Sequence, residues 1–223
     1  MNLLLLAVAP AFVIIIYIYV KDKHEKEPKQ LLAYNFLLGA IVSIIVTTIL
    51  YFLYTSFFSP FKEKSVFDQF VKAFFMVGLI EEFSKYIIVR YYAQPKKEFN
   101  EPFDGIVYAV MVSMGFAVTE NIFYVFEGGL STAFGRAFTA VPAHATFAVL
   151  MGYFMGKAKF SKNKTVLNLT GLLLAILFHG AYDFFLFLPF VPGIWTGAFV
   201  SLFIGVFLSR KAIKHHQNNS HFK

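Results

Sequence analysis

The 223-residue chain contains no cysteine, and only 15% of its residues are charged. Without cysteine there is no disulfide framework, no thiolate metal site and no cysteine nucleophile. A soluble domain usually carries about 25% charged residues, part of the polar cover its surface needs. This chain is short of them while 58% of it is hydrophobic, which excludes a water-soluble globular enzyme. The formal charge of +7 would point to nucleic acid only if the basic residues shared one exposed face. They lie instead in short clusters between long apolar runs, the arrangement by which a membrane protein orients itself. The expected partner is the lipid bilayer, and no nucleic acid is expected.

Crossing a bilayer as a helix takes about 20 mostly apolar residues. Seven segments qualify: 1–20, 31–61, 70–92, 103–126, 137–156, 165–188 and 192–209. A short turn joins the last two, so six spans plus a hairpin is the alternative count. The first segment lacks the positively charged start of a signal peptide and reads as an uncleaved span. Lys21, Lys23, Lys26 and Lys29 fall in the first loop, Arg90, Lys96 and Lys97 in the third, and Lys157, Lys159, Lys162 and Lys164 in the fifth. Arg210, Lys211, Lys214 and Lys223 form the tail, whereas the even loops hold Lys62, Lys64 and Arg136. The positive-inside rule then puts the amino terminus outside and the carboxyl terminus in the cytoplasm. No repeat or long linker divides the chain. The expected fold is all-α, a polytopic transmembrane helix bundle of about seven spans forming one membrane domain, 1–223.

Charges nevertheless sit inside the spans: Glu81, Glu82 and Lys85 on the third, Glu120 on the fourth, His144 on the fifth, His179 and Asp183 on the sixth. Each central Asp or Lys costs about 2.5–3.5 kcal/mol on the insertion scale, so these groups must meet inside the bundle. Lys85 is one helical turn from Glu81 and Glu82, and Asp183 one turn from His179. A carboxylate beside an imidazole fixes its tautomer and raises its basicity. Counted inward from the outer end of each span at about 1.5 Å per residue, Glu81 and Glu82 lie roughly 17 Å deep, His179 roughly 14 Å and His144 roughly 12 Å. Glu120 and Asp183 come at roughly 8–9 Å. Packing residues have no reason to share a depth, but a buried site open to the outer face does. Taken singly, His144 reads equally as a packing histidine, His179–Asp183 as an interhelical clamp, and Glu81, Glu82 and Lys85 as a structural ion pair. Asp104 and Arg90 read as boundary residues that snorkel or pair with loops.

Peptide hydrolysis needs an activated water, a proton donor for the amine and a group to hold the oxyanion. Glutamate and histidine supply these with or without a metal. No serine elbow is present, since Met111 stands where Ser113 would need a glycine. Glu81-Glu82-Phe83-Ser84-Lys85, Phe116 to Glu120 and His179 to Asp183 match Glu-Glu-x-x-Lys, Phe-x-x-x-Glu and His-x-x-x-Asp in order. With them, the chain resembles the PrsW family of bacterial intramembrane proteases, within the CAAX-protease and bacteriocin-processing superfamily. The resemblance implies site-1 cleavage of a single-span, membrane-anchored anti-sigma factor at the bacterial cell membrane, on the extracytoplasmic side. That cut starts a cascade freeing a sigma factor under envelope stress. It also implies Glu81, Glu82 and His179 as the essential group.

On this reading one of Glu81 and Glu82 activates water, His144 and His179 polarise the carbonyl or hold the oxyanion, and Glu120 assists proton transfer. Asp183 orients His179, and Lys85 pairs with the spare glutamate. A zinc ion is one version of the site, with His144, His179, Glu82 and Glu120 as candidate ligands; a metal-free glutamate and histidine mechanism is the other. Two rivals come from other classes. A proton-coupled transporter would also use buried Glu and His, though such proteins show paired halves with broken helices. A non-catalytic membrane scaffold would tolerate loss of Glu82 or His179.

Overall fold

The computed structural model describes residues 3–220 and 222 and is all-helical over them. Met1, where the first expected span begins, and Lys223 of the basic tail lie outside the described residues. Helix α1 is Leu3–Lys21, α2 is Lys29–Phe57, α3 covers 66–93, and α4 is Pro102–Phe138. Helices α5 (Ala140–Lys159), α6 (Lys164–Leu186) and α7 (Thr196–Asn218) complete the chain. Within the described residues, each of the seven expected apolar segments falls mainly on one of these helices, but 58–61, 187–188 and 192–195 lie in the connections. By length and composition, five helical stretches among the described residues are able to cross a membrane, one of them the 58-residue run Pro102–Lys159. That run is α4 and α5 folded into an antiparallel hairpin. Helix α3 stands apart from the five because Glu81, Glu82, Lys85 and Arg90 interrupt its apolar run.

Helix α4 is the central element, with every residue from Phe103 to Val118 buried. A helix apolar on all sides has no solvent face to keep. Its start is fixed by a capping box: the Asp104 carboxylate accepts from the backbone N–H groups of Asn100 and Glu101, each at 2.8 Å. Asp104 is thus a helix cap, and Arg90 donates to Gln94 at 2.8 Å.

Small residues set the spacing of the hairpin. A Cβ built on Gly105 would lie 2.4 Å from the Gly152 carbonyl oxygen, and one on Gly156 2.0 Å from that of Pro102. Such backbone contact is how helices gain packing where lipid offers no hydrophobic drive. Gly105→Leu is expected to destabilise the protein by about 1–3 kcal/mol or more through overpacking. Gly135→Ala, whose Cβ would meet nothing within 4 Å, is the neutral comparison. The measurement is the melting temperature of the detergent-purified variants, and equal values would refute the close-packed hairpin.

Helix α6 closes on α3 in the same manner. A Cβ on Gly180 would fall 2.5 Å from the Phe74 ring, and one on Gly78 3.2 Å from the Gly180 amide nitrogen. These contacts carry the His179 helix against the Glu81 helix. Helix α4 does not stop where its apolar run ends at residue 126. It continues to Gly129, whose φ of 67° breaks the helix, a conformation glycine adopts without steric cost. The following turns come back towards the bundle.

Candidate active site

Four helices bring the intramembrane charges together. Glu82 is the most deeply enclosed: its Oε1 accepts from Lys85 Nζ at 2.7 Å and from His179 Nδ1 at 2.8 Å. The other ring nitrogen of His179, Nε2, lies 3.3 Å from Asp183 Oδ2 and 3.9 Å from Glu81 Oε2. Phe147 stacks on this ring with centroids 4.9 Å apart. His144 lies edge-on to His179, 5.3 Å between centroids. Its Nε2 donates to Glu120 Oε2 at 2.9 Å, and its Nδ1 accepts from Lys85 at 3.4 Å. The Lys85 ammonium lies 3.6 Å from Glu81 and packs 4.1 Å from the centre of the Phe116 ring.

All seven residues singled out from the sequence therefore join one connected centre. A cavity of about 580 Å³ opens on it, lined among others by Tyr51, Glu81, Glu120, Arg136, His144, His179 and Asp183. Glu82 and Lys85 are not among the lining residues. Of the adjacent glutamates, Glu81 faces the cavity while Glu82 sits in the wall and steers His179.

Two residues of the centre escaped sequence reasoning. Arg136 returns from the Gly129 elbow and donates through Nη2 to Glu120 and through Nε to Asn121, both at 2.6 Å. In the sequence it was one more loop cation; the Gly128-Gly129 pair ahead of it was the sole sign of a reversal. Tyr51 donates to Glu81 Oε1 at 2.8 Å. Its signal was a four-residue spacing, Ser43, Thr47, Tyr51, which draws one polar line down an apolar helix.

The donor set suits a divalent metal ion. One ligand atom from each of Glu81, His144 and His179 lies within 4.8 Å of the others, a two-nitrogen, one-oxygen set of the kind catalytic zinc uses. Glu81 Oε2 is buried without a hydrogen-bond partner, which is costly unless something else meets it. The four carboxyl groups of Glu81, Glu82, Glu120 and Asp183 also outnumber the two lysine and arginine side chains among them, Lys85 and Arg136. Glu82 and Glu120, candidate ligands on sequence grounds, instead hold the two histidines from behind.

Membrane-crossing helices enclosing a carboxylate–imidazole centre beside a cavity define an intramembrane enzyme. The family narrows this further: residues 27–209 match the PrsW family intramembrane metalloprotease, and the chain belongs to that family. It is 37% identical over 200 residues to "Protease PrsW" of Geobacillus kaustophilus, covering 89% of this chain and 86% of that one. Against the protein of the same name from Oceanobacillus iheyensis it is 40% identical over 187 residues, 83% of each chain. Against that from Bacillus subtilis it is 35% identical over 199 residues, 84% of this chain and 88% of the relative. No solved structure matches the chain. The protein is a multi-pass membrane peptidase of a metalloprotease family, and neither the transporter nor the scaffold reading is favoured.

Proposed function

We propose that the enzyme makes the site-1 cut in a single-span, membrane-anchored anti-sigma factor, on its extracytoplasmic side, in the bacterial cytoplasmic membrane. The cut would lead to sigma-factor release under envelope stress. The observation carrying this reading is the placement of the cavity. Lys72, Arg136 and Phe187 line it, residues near the 58–65, 128–139 and 187–195 connections. The clusters Lys21–Lys29, Lys96–Lys97 and Lys157–Lys164 lie at the other end of the bundle. The positive-inside rule makes that other end cytoplasmic, so the cavity faces out. On this reading residues 1–223 form one membrane domain that crosses seven times with its amino terminus outside.

In the mechanism that the geometry supports, Glu81, His144 and His179 would hold the ion. When bound, it supplies a Lewis acid and lowers the pKa of water. Glu82 holds His179 through Nδ1, leaving Nε2 as the nitrogen that would meet the ion, and Asp183 lies beside that nitrogen on the cavity side. Arg136 anchors Glu120, which fixes His144 through Oε2 and offers Oε1 to take the proton of the attacking water. The same carboxyl then returns that proton to the leaving amine. Lys85 offsets the charge of Glu82 and keeps the wall dry.

Two experiments test the proposal. Co-expression with a candidate single-span anti-sigma factor should give a shortened fragment with wild type and none with Glu81→Gln; an uncut factor in both strains sinks the substrate assignment. For orientation, single cysteines can be placed in this cysteine-free chain. Ser131→Cys should react with an impermeant reagent in intact cells and Ser161→Cys should not, and the reverse pattern inverts the topology.

A further inference from the structure

Helix α2 is built in two unequal halves. Its inner half is locked to α4: a Cβ on Gly39 would lie 1.9 Å from the Val112 carbonyl oxygen, and one on Gly115 2.0 Å from that of Phe36. Thr119 adds a hydrogen bond to the Ala40 carbonyl at 3.0 Å. These contacts hold the first two residues of a π-helical turn, Gly39–Ser43, and such turns recur at functional sites. Beyond it, Ile44–Phe57 buries Thr47 alone among its described residues. Ile45, Ile49, Phe52 and Leu53 are exposed, an apolar surface suited to lipid. Ile44, Thr47, Thr48 and Tyr51 line the cavity on the opposite side.

A single helix of about four turns therefore separates the reaction cavity from the bilayer. The bonds drawing it onto α3 are exchangeable: Thr47 donates to Ser84 at 2.9 Å and Tyr51 to Glu81 at 2.8 Å. Other seams are less suited to open. Helices α4 and α5 meet backbone to backbone, and Gly180 is seated on Phe74 where α6 crosses α3. A substrate anchored by its own transmembrane segment has to reach the catalytic groups from within the membrane.

We propose that the outer half of α2 is a lateral gate for the substrate's single transmembrane segment, and that Tyr51 is its latch. The π turn is the hinge. Opening breaks the Tyr51–Glu81 bond and exposes the cavity to lipid. Closing returns the phenol to Glu81 Oε1 and leaves Oε2 aimed at the two histidines, so the site is complete only while the gate is shut. Tyr51 is a positioning residue, acting through Glu81. The inference rests on reading the cavity as the place of cleavage and is independent of which single-span protein is cut.

The absence of cysteine makes the test clean. In Thr47→Cys/Ser84→Cys the replaced oxygens stand 2.9 Å apart, which brings the pair within reach of a disulfide. Because the outer half is one rigid helix, tethering Thr47 tethers it all. The oxidised enzyme should cut a single-span reporter, one that wild type cleaves, at least tenfold more slowly than its reduced form. Co²⁺ affinity should be equal in both states, which separates a closed gate from a damaged site. Equal cleavage rates before and after reduction would overturn the gate. Tyr51→Phe should lower kcat on that reporter and weaken Co²⁺ binding by about 10–100-fold, with KM within about twofold. Tyr54→Phe on the same helix should change nothing. A Tyr51→Phe enzyme with wild-type kcat and Co²⁺ affinity would overturn the latch.

Discussion

Glu81→Gln is expected to lose cleavage and bound metal together, whereas Glu120→Gln loses cleavage and keeps the metal. The two glutamates differ in what their oxygens meet. Glu81 Oε2 is buried without a hydrogen-bond partner, and a Glu81 carboxylate oxygen is one of three ligand atoms within 4.8 Å of one another. An uncharged amide there removes a ligand and the negative charge that attracts the cation. Glu120 is engaged by His144 and Arg136 through Oε2 and would serve as proton acceptor, so its replacement removes a group worth about 10²–10⁴-fold in rate. His179→Ala should behave like Glu81→Gln. Glu82→Gln keeps the shape of the wall but weakens the hold on His179, for a loss of about 10–100-fold in affinity or activity. Glu82→Ala goes further, since it strips Lys85 of its closest carboxylate; breaking a buried pair in this way costs about 3–5 kcal/mol, and the amount of folded protein should fall. Metal content and reporter cleavage, measured on each purified variant, check the whole set. Wild-type cleavage by both Glu81→Gln and His179→Ala would end the site assignment.

Stripping the purified enzyme with a strong chelator should stop cleavage, and one equivalent of zinc should restore it. The ion's contribution to charge stabilisation in the transition state is several kcal/mol, which corresponds to roughly a thousandfold in rate. The structural ground is the convergence of Glu81, His144 and His179, each with a polar group behind it: Tyr51 on the first, Glu120 on the second and Glu82 on the third. Histidine ligands in working metal sites are oriented in this fashion by their other ring nitrogen. Lys85 opposes a cation: its ammonium sits closest to Glu82, at 2.7 Å, and the long 3.4 Å contact to His144 Nδ1 is the one an ion would displace. Metal-depleted protein that cleaves at the full rate would establish the metal-free mechanism, with Glu81 as the base.

The apolar segments were legible because a span has to satisfy its backbone internally, so long apolar runs become helices. Their ends were less so. Helix α4 runs past residue 126 through Glu127 and Gly128, where hydropathy falls but helical geometry continues to the Gly129 break. The charged centre was legible for an opposite reason: glutamate or histidine within an apolar run is conspicuous, and helical rise converts position into depth. The division of labour between Glu81 and Glu82 was not. Adjacent helical residues point about 100° apart, but which one faces the cavity depends on how α3 is rotated. That rotation is set by contacts distant in sequence, the Gly78–Gly180 approach and the Ser84 hydroxyl bonds to Ser43 and Thr47. Tyr51 was concealed because tyrosine is ordinary in membrane helices, and Arg136 because a loop cation carries no hint of its destination.

The surplus of carboxyl groups over Lys85 and Arg136 around the cavity reaches beyond the reaction, to how much enzyme a cell holds. An ion that binds the folded state and not the unfolded one stabilises it by about 4 kcal/mol when present at a thousand times its dissociation constant. That is a large share of the 5–15 kcal/mol or so that holds a typical domain folded. Metal starvation should then deplete the protein as well as silence it, because quality-control proteases remove chains whose buried charges stay unbalanced. Immunoblots of cells grown with and without a zinc-specific chelator would show the fall, and the level of Glu81→Gln, which lacks both the ligand and its charge, should not respond to the chelator.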